Sequence, residues 1–211
     1  MEFLPKDLSM RDVYKLLTGS LVPRPIAFVS TVGPTGVYNV APFSFFNAVS
    51  GYPPILMVAI SDRDGQKKDT LTNIEHSGEF VVNIVTESML QQMHDASVDF
   101  RPEVSEFEEV NLTPVPAKKI KGIAVKESPV HFECKLLKIE HIGRNDVVFG
   151  EIVLFDIQDD LIYDDLKIDV GKLKPAARLA GNRYGIITRE VTLQKRQFDR
   201  SKLLDYEERL R

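Results

Sequence analysis

The chain of 211 residues has no tryptophan and a single cysteine, Cys134. One thiol excludes an intrachain disulfide and any metal site built from several thiolates of one chain. Stability must then come from burial alone, and a chain of this length buries roughly 70% of its unfolded surface, enough for a real core. Such cysteine usage suits a reducing compartment, so a cytoplasmic location is expected. Long apolar runs are missing too. The longest, residues 55–60, is far short of a bilayer span, and the opening MEFLPKDLSMRD lacks the basic stretch and apolar segment of a signal peptide. Nor is there a surplus of positive charge. Lys+Arg 27 against Asp+Glu 31 gives a formal net charge of -4, which disfavours polyanionic strands and anionic membrane surfaces. Nucleic acid and membrane are therefore not expected as partners. Low-complexity tracts and fixed-period repeats are absent, which argues against disorder and solenoids.

Catalytic signatures are equally scarce. The sequence holds no G-x-S-x-G elbow, no H-E-x-x-H, no P-loop and no G-x-G-x-x-G. Its four histidines, His76, His94, His131 and His141, are scattered and read as structural or surface groups. Nucleophilic hydrolysis and metal chemistry both lose ground.

What is present is β-rich. Residues 25–32, 37–49, 55–61 and 80–86 are short, rich in β-branched and aromatic side chains and bounded by Gly, Pro and Asp, as strands are. Val130, Phe132, Cys134 and Leu136 alternate with His131, Glu133 and Lys135, the period of a half-buried strand, and 147–157 supplies another. Ser9, with Asp12 reaching back, predicts a capped helix that stops at Gly19. Residues 69–78 open on a capping Asp69 and end on Gly78, a two-turn helix, and a further helix is expected over 87–96. The proline-containing, acidic connection 97–119 has the length of a lid or a partner-contacting loop, or is passive. The charged tail 193–211 reads as a helix on the body or on a second subunit. Without regular βα alternation, these elements predict an antiparallel barrel or sandwich with short helices, one domain spanning 1–211 with its core at about 20–190.

Three stretches could carry chemistry. Ser30 and Thr31 precede the turn Gly33-Pro-Thr-Gly36, where hydroxyls and amides could hold a phosphate or simply cap the turn. Lys68-Asp69-Thr70 lies at a helix mouth, which suits an anion, or Asp69 merely caps it. NVAPFSFFN, 39–47, interleaves phenylalanines with Pro42, which has no N–H and should break the ladder. Amides released beside aromatic walls suit a flat ligand with a polar edge; the alternative is an irregular core strand.

Taken in order, PRPIAFVST (23–31), Gly36 with Asn39, APFSFFN (41–47), PP (53–54), KDTLTNI (68–74) and EFVVNIV (79–85) resemble the flavin reductase-like family, in its flavoredoxin-like branch. SEFEEVNLTPVP (105–116), ESPVHFECKL (127–136), FGEI (149–152) and RLAGNRY (178–184) extend the likeness. The resemblance implies a mainly β, antiparallel, Greek-key-like FMN-binding split β-barrel that works as a homodimer. It implies Ser30, Thr31, Lys68 and Thr70 for the phosphate, and Asn39, Ala41, Pro42, Ser44, Phe45, Phe46 and Asn47 for the ring and ribityl chain. Arg178 and Tyr184 would close the site, from the same or the neighbouring subunit. No catalytic side chain is implied, because the flavin carries the redox chemistry at N5. FMN is expected rather than FAD, since nothing is dedicated to an adenine. The implied activity is an NAD(P)H-dependent flavin reductase, with NADH or NADPH as co-substrate and free flavin, a monooxygenase or another electron-transfer protein as acceptor. The alternatives are a flavoredoxin-like carrier with no nicotinamide reaction of its own, and a non-catalytic binding module. One departure bears on this choice: where many shorter members have G-D-H, this chain has Gly143-Arg144-Asn145.

Overall fold

Stretches of alternating β-branched and aromatic residues become strands, and Gly and Pro mark where they turn. The computed structural model describes residues 1–63 and 65–194. Its elements in chain order are α1 (Met10–Ser20), β1 (Arg24–Pro25), β2 (Ala27–Val32), β3 (Tyr38–Phe43), β4 (Phe46–Gly51), β5 (Pro54–Ser61), α2 (Asp69–Ser77) and β6 (Glu79–Ile84). Then come α3 (Leu90–Asp95), α4 (Glu106–Glu109), β7 (Pro114–Pro116), β8 (Ile123–Val125), β9 (Val130–Ile142), β10 (Asn145–Ile157), α5 (Val170–Leu173), β11 (Ala176–Arg178) and β12 (Tyr184–Ile186). Seven strands form one antiparallel sheet in the order β3-β2-β6-β9-β10-β5-β4. Its two edge strands, β3 and β4, are consecutive in the chain and joined only by Ser44 and Phe45. Two residues reach at most about 3.3–3.6 Å each, so both edges of the sheet must meet there. The sheet therefore curls into a split β-barrel. A separate ribbon, β1-β11-β12, lies beside this seam, and β7-β8 form a hairpin-like pair.

β2 shows why its sequence reads as one continuous apolar run. Ala27 and Val29 face the barrel interior with Phe80, Val82, Leu56, Val58 and Val148, which Leu71 and Ile74 of α2 help to fill. Phe28 faces the other way, into a second cluster with Val40, Met89, Met93 and Phe107, under α3 and α4. Both faces of β2 are buried, so apolar residues occupy both parities.

Gly150 in β10 marks a close approach. A Cβ there would lie 2.4 Å from Phe80 Cζ and 2.9 Å from Phe80 Cε1, and Phe80 is wholly buried. Gly150→Ala should therefore displace a locked core ring and cost about 1–3 kcal/mol, read as a lower denaturation midpoint. An unchanged midpoint would show that the ring has room to yield.

Several expectations need correction. The single strand expected over 37–49 is two, and the break falls at Ser44-Phe45 rather than at Pro42. Pro42 pairs with Phe28 inside β3. Val40 N–H donates to Glu106 Oε2 (3.2 Å), away from β2, and residues of the same parity share that outer edge, so the missing N–H of Pro42 costs no ladder bond. Asp69 is the first residue of α2 and not its cap; Lys68 holds the cap position without a side-chain bond. α1 runs one residue past Gly19, and Asp12 accepts from the Ser9 hydroxyl (2.6 Å). Glu133 is buried, not turned outward. The tail helix expected over 193–211 lies, from residue 195 on, outside the described residues. No helix among the described residues is long and apolar enough to cross a membrane.

Candidate functional site

Three adjoining clefts run along the barrel seam. The first, at the mouth of α2, is lined by Asn39, Ala41, Pro42, Arg63, Lys68, Thr70, Asp99 and Glu106 among others. Beneath it is a closed polar network. Asn39 Oδ1 accepts from Thr70 (2.9 Å) and Thr31 (3.2 Å), Asn39 Nδ2 donates to Glu106 Oε1 (2.9 Å), and Asn73 donates to Thr31 (3.0 Å). Two cations face the opening: Arg63 pairs with Asp99, and Lys68 Nζ lies 3.8 Å from the same carboxylate. Burial lowers the Lys68 pKa, as does Arg63, while Asp69 opposes the shift. An ammonium held in that state gains from an arriving anion.

Glu106, 6% exposed, is a buried carboxylate with no cationic partner among the described residues. Burial raises its pKa, with Asp69 adding to the rise, against the bonds from the Val40 and Asn39 donors; Arg63, Lys68 and Asp99 line the same cleft. Because the folded pKa is the higher one, the stabilising contribution is full below the ordinary glutamate range and is lost as pH rises through the raised value. Unfolding free energies of wild type and Glu106→Gln should therefore diverge across that window, wild type losing ground as pH rises. Glutamine meets only one of the two donors, a constant offset, so the pH slope is the readout. Parallel curves would contradict the assignment.

The second cleft is built on the ribbon. Its register sets Arg24 opposite Arg178, and Arg178 opposite Tyr184. Arg24 donates Nη1 to Thr18 O (2.6 Å) and Leu21 O (2.8 Å), Nη2 to Leu179 O (3.1 Å) and Nε to Ser44 Oγ (3.3 Å). Burial lowers its pKa, and Arg178 adds to this against an opposing effect of Tyr14. Arg178 donates to the Tyr184 hydroxyl and lies over that ring, 4.8 Å from its centroid. Tyr184 OH also meets His94 Nδ1 at 2.9 Å. This cleft shares Pro42 with the first and Arg24 and Ser44 with the third.

The third is apolar, with Phe45, Phe46, Asn47, Met57, Val147 and Phe149 in its lining. Here the ladder of β3 has ended at Phe43 and that of β4 has not begun, so the Ser44 and Phe45 amides belong to neither. The Phe45 carbonyl accepts from Ala59 N (2.8 Å). Phe43 is a core residue, 7% exposed, and lies outside this lining, though it borders the second cleft.

Eleven of the thirteen residues expected at the site line these clefts: Asn39, Ala41, Pro42, Ser44, Phe45, Phe46, Asn47, Lys68, Thr70, Arg178 and Tyr184. Ser30 and Thr31 do not. Neighbours on a strand point to opposite faces. Ser30 bonds Ile123 O and Asn83 (3.0 Å), whereas Thr31 sits behind Asn39, so the two hydroxyls lie on opposite faces of β2. Arg178 and Tyr184 meet Pro42 and Ser44 within one chain. Arg24, Arg63, His94 and Glu106 were not anticipated, although Arg24 and Glu106 stand inside PRPIAFVST and SEFEEVNLTPVP. A flavin mononucleotide fits this donor set: the cations Lys68 and Arg63 at one end, the Ser44 and Phe45 amides and aromatic rings at the other.

A family model described as flavin reductase like domain matches residues 19–170. An uncharacterized protein of Aquifex aeolicus is 43% identical over 185 residues, 87% of this chain and 94% of its own. Nitrilotriacetate monooxygenase component B from Bacillus cereus has the same fold at a TM-score of 0.89, with 36% identity over 92% of this chain and 98% of that one. The Pseudomonas fluorescens 2-nitrobenzoate 2-nitroreductase NbaA gives 0.86, with 34% identity over 96% of this chain and 100% of that one.

Proposed function

This chain belongs to the flavin reductase-like domain family, and from that membership we propose that it binds FMN along the seam and acts as an NAD(P)H-dependent flavin reductase. The observation that carries the proposal is the run of three clefts, cationic at Lys68 and apolar at Phe45, that meet at Pro42 and Ser44. Lys68 and Arg63 hold the phosphate, and the Thr70 hydroxyl, spent on Asn39, fixes the floor beneath it. The main chain of Ser44 and Phe45 offers donors to the ring edge, and Phe45 and Phe46 keep water from its face. Two to four charge-assisted bonds at about 1.5–3 kcal/mol each, with ring burial, supply the roughly 8 kcal/mol of a micromolar complex. Bound FMN supplies the redox chemistry, accepting electrons from NADH or NADPH and passing them to free flavin, a monooxygenase or another protein. The neighbour named as a monooxygenase component supports that acceptor class.

Anaerobic stopped-flow mixing of the FMN-loaded protein with NADH and NADPH tests the reaction. Bleaching with either supports it; flavin that stays oxidised with both leaves an electron carrier. One observation favours that second reading: at the β9–β10 turn, where a histidine is absent, Arg144 Nη2 pairs with Asp62 (2.7 Å).

We also assign the chain to a cytoplasmic homodimer. Around the apolar cleft Leu17 is exposed on α1, Leu21 just past its end and Ile142 on β9, a face suited to a second copy. Light scattering should give twice the chain mass, and Ile142→Asp should shift it toward monomer. A monomeric wild type would contradict this.

A further inference from the structure

The row Arg24–Arg178–Tyr184 crosses the β1-β11-β12 ribbon at directly paired positions. Directly opposite residues share one face, with Cβ atoms about 4.5–5.5 Å apart, and like charges there are destabilising. Yet the fold leaves both charges without a counter-ion: among the described residues no carboxylate pairs with either arginine. Arg24 is 5% exposed, and its four contacts are neutral oxygens, which satisfy hydrogen bonds without cancelling charge. Of the five N–H donors of a guanidinium, one on Nη2 is left over. Arg178 bonds only neutral Tyr184 in the row, so its fork is largely unspent.

The surroundings limit what can enter. Ile26, Phe43, Met93 and Leu179 give apolar walls to a cleft of about 240 Å³. That lies below the roughly 300–1,000 Å³ typical of sites for drug-sized ligands. A whole dinucleotide is too large. Planar guanidinium forks match planar, bidentate acceptors better than a point charge.

We infer that the ribbon face between Arg24 and Arg178 is an anion site for the flat edge of a planar ligand with a delocalised negative charge, of carboxylate type. Two sources have this chemistry: the polar edge of the flavin ring, which carries a delocalised negative charge once the ring is reduced, and the carboxylate of a separate small aromatic acid. The anion site does not depend on the flavin reading; only the identity of its occupant does.

Anaerobic calorimetric titration of the full chain, without FMN and then with saturating, chemically reduced FMN, separates these cases. The probes are benzoate, its neutral counterpart benzamide, and inorganic phosphate. Benzoate should bind, with benzamide and phosphate each weaker by about tenfold or more, the size of one charge-assisted bond. Arg178→Met should weaken benzoate by a similar factor. Arg178→Lys, which keeps the charge and loses the fork, should fall between and covers the case in which the methionine variant fails to fold. Arg24 is left intact because it also ties down Thr18 and Leu21 of the α1 end. Benzoate displaced by FMN identifies the occupant as the flavin edge, and benzoate retained beside FMN identifies a separate acid. Benzoate binding in a chain that takes up no FMN would sink the flavin reading and leave the anion site standing. Equal affinity for benzamide, tighter binding of phosphate, no benzoate binding in either form, or benzoate affinity unchanged in both Arg178 variants would each overturn the inference.

Discussion

Glu133→Ala should lower the unfolding free energy by about 3–5 kcal/mol, enough to consume much of the stability of an ordinary domain. Glu133 stands on β9, 2% exposed, and its carboxylate accepts three successive main-chain N–H groups: Lys118 (2.6 Å), Lys119 (2.7 Å) and Ile120 (3.2 Å). Successive amides turned inward form a cradle for an anion, and here the chain supplies that anion itself. Truncation orphans all three, at about 1–3 kcal/mol for each that water cannot reach. The damage should spread, because Ile120 packs with Val81 and Ala124 and holds the β7-β8 pair against the sheet. Glu133→Gln keeps one acceptor oxygen and should lose roughly half as much. Denaturant unfolding of the three proteins checks this; a loss below about 1 kcal/mol for alanine would mean that water replaces the carboxylate freely.

Lys68→Ala should raise the FMN dissociation constant about 10- to 150-fold, the equivalent of one charge-assisted bond of about 1.5–3 kcal/mol. Riboflavin has the same ring and ribityl chain but no phosphate, so its affinity should stay within about twofold. The contrast matters because Lys68 is half-buried at the start of α2, and its replacement could disturb the helix mouth. Equal weakening of both ligands would assign Lys68 to folding. Thr70→Val removes the bond to Asn39 and leaves the charge in place, so it should lower stability and weaken both ligands alike.

How far the sequence spoke depended on whether a feature was local. β2, β5 and β6 were legible because their periodicity and their Gly and Pro boundaries are short-range. α2 was legible from Gly78, whose φ of 68° is the left-handed end a helix needs. Pro42 was read correctly as incompatible with a central strand, but the conclusion drawn was too strong. An edge strand absorbs a missing N–H on its outer side, and only the sheet order reveals that β3 is an edge. Glu133 misled for a related reason: alternation on β9 predicts which face it takes, whereas the cover over that face comes from residues 118–120. Ser30 and Thr31 looked like one hydroxyl pair in sequence, and the pleat separates them. The pairing of Arg24 with Arg178 joins distant parts of the chain, and that of His94 with Tyr184 spans 90 residues, so composition and spacing carry no trace of either.

The central claim is that the phosphate of FMN is held at Lys68 while its ring lies along Ser44 and Phe45. The most direct measurement is gel filtration of the purified chain after incubation with FMN, followed by the visible spectrum of the protein peak. We predict flavin absorbance in that peak at one FMN per chain, with the bands shifted from those of the free cofactor. A colourless protein peak, with all the FMN in the small-molecule fractions, would contradict the account.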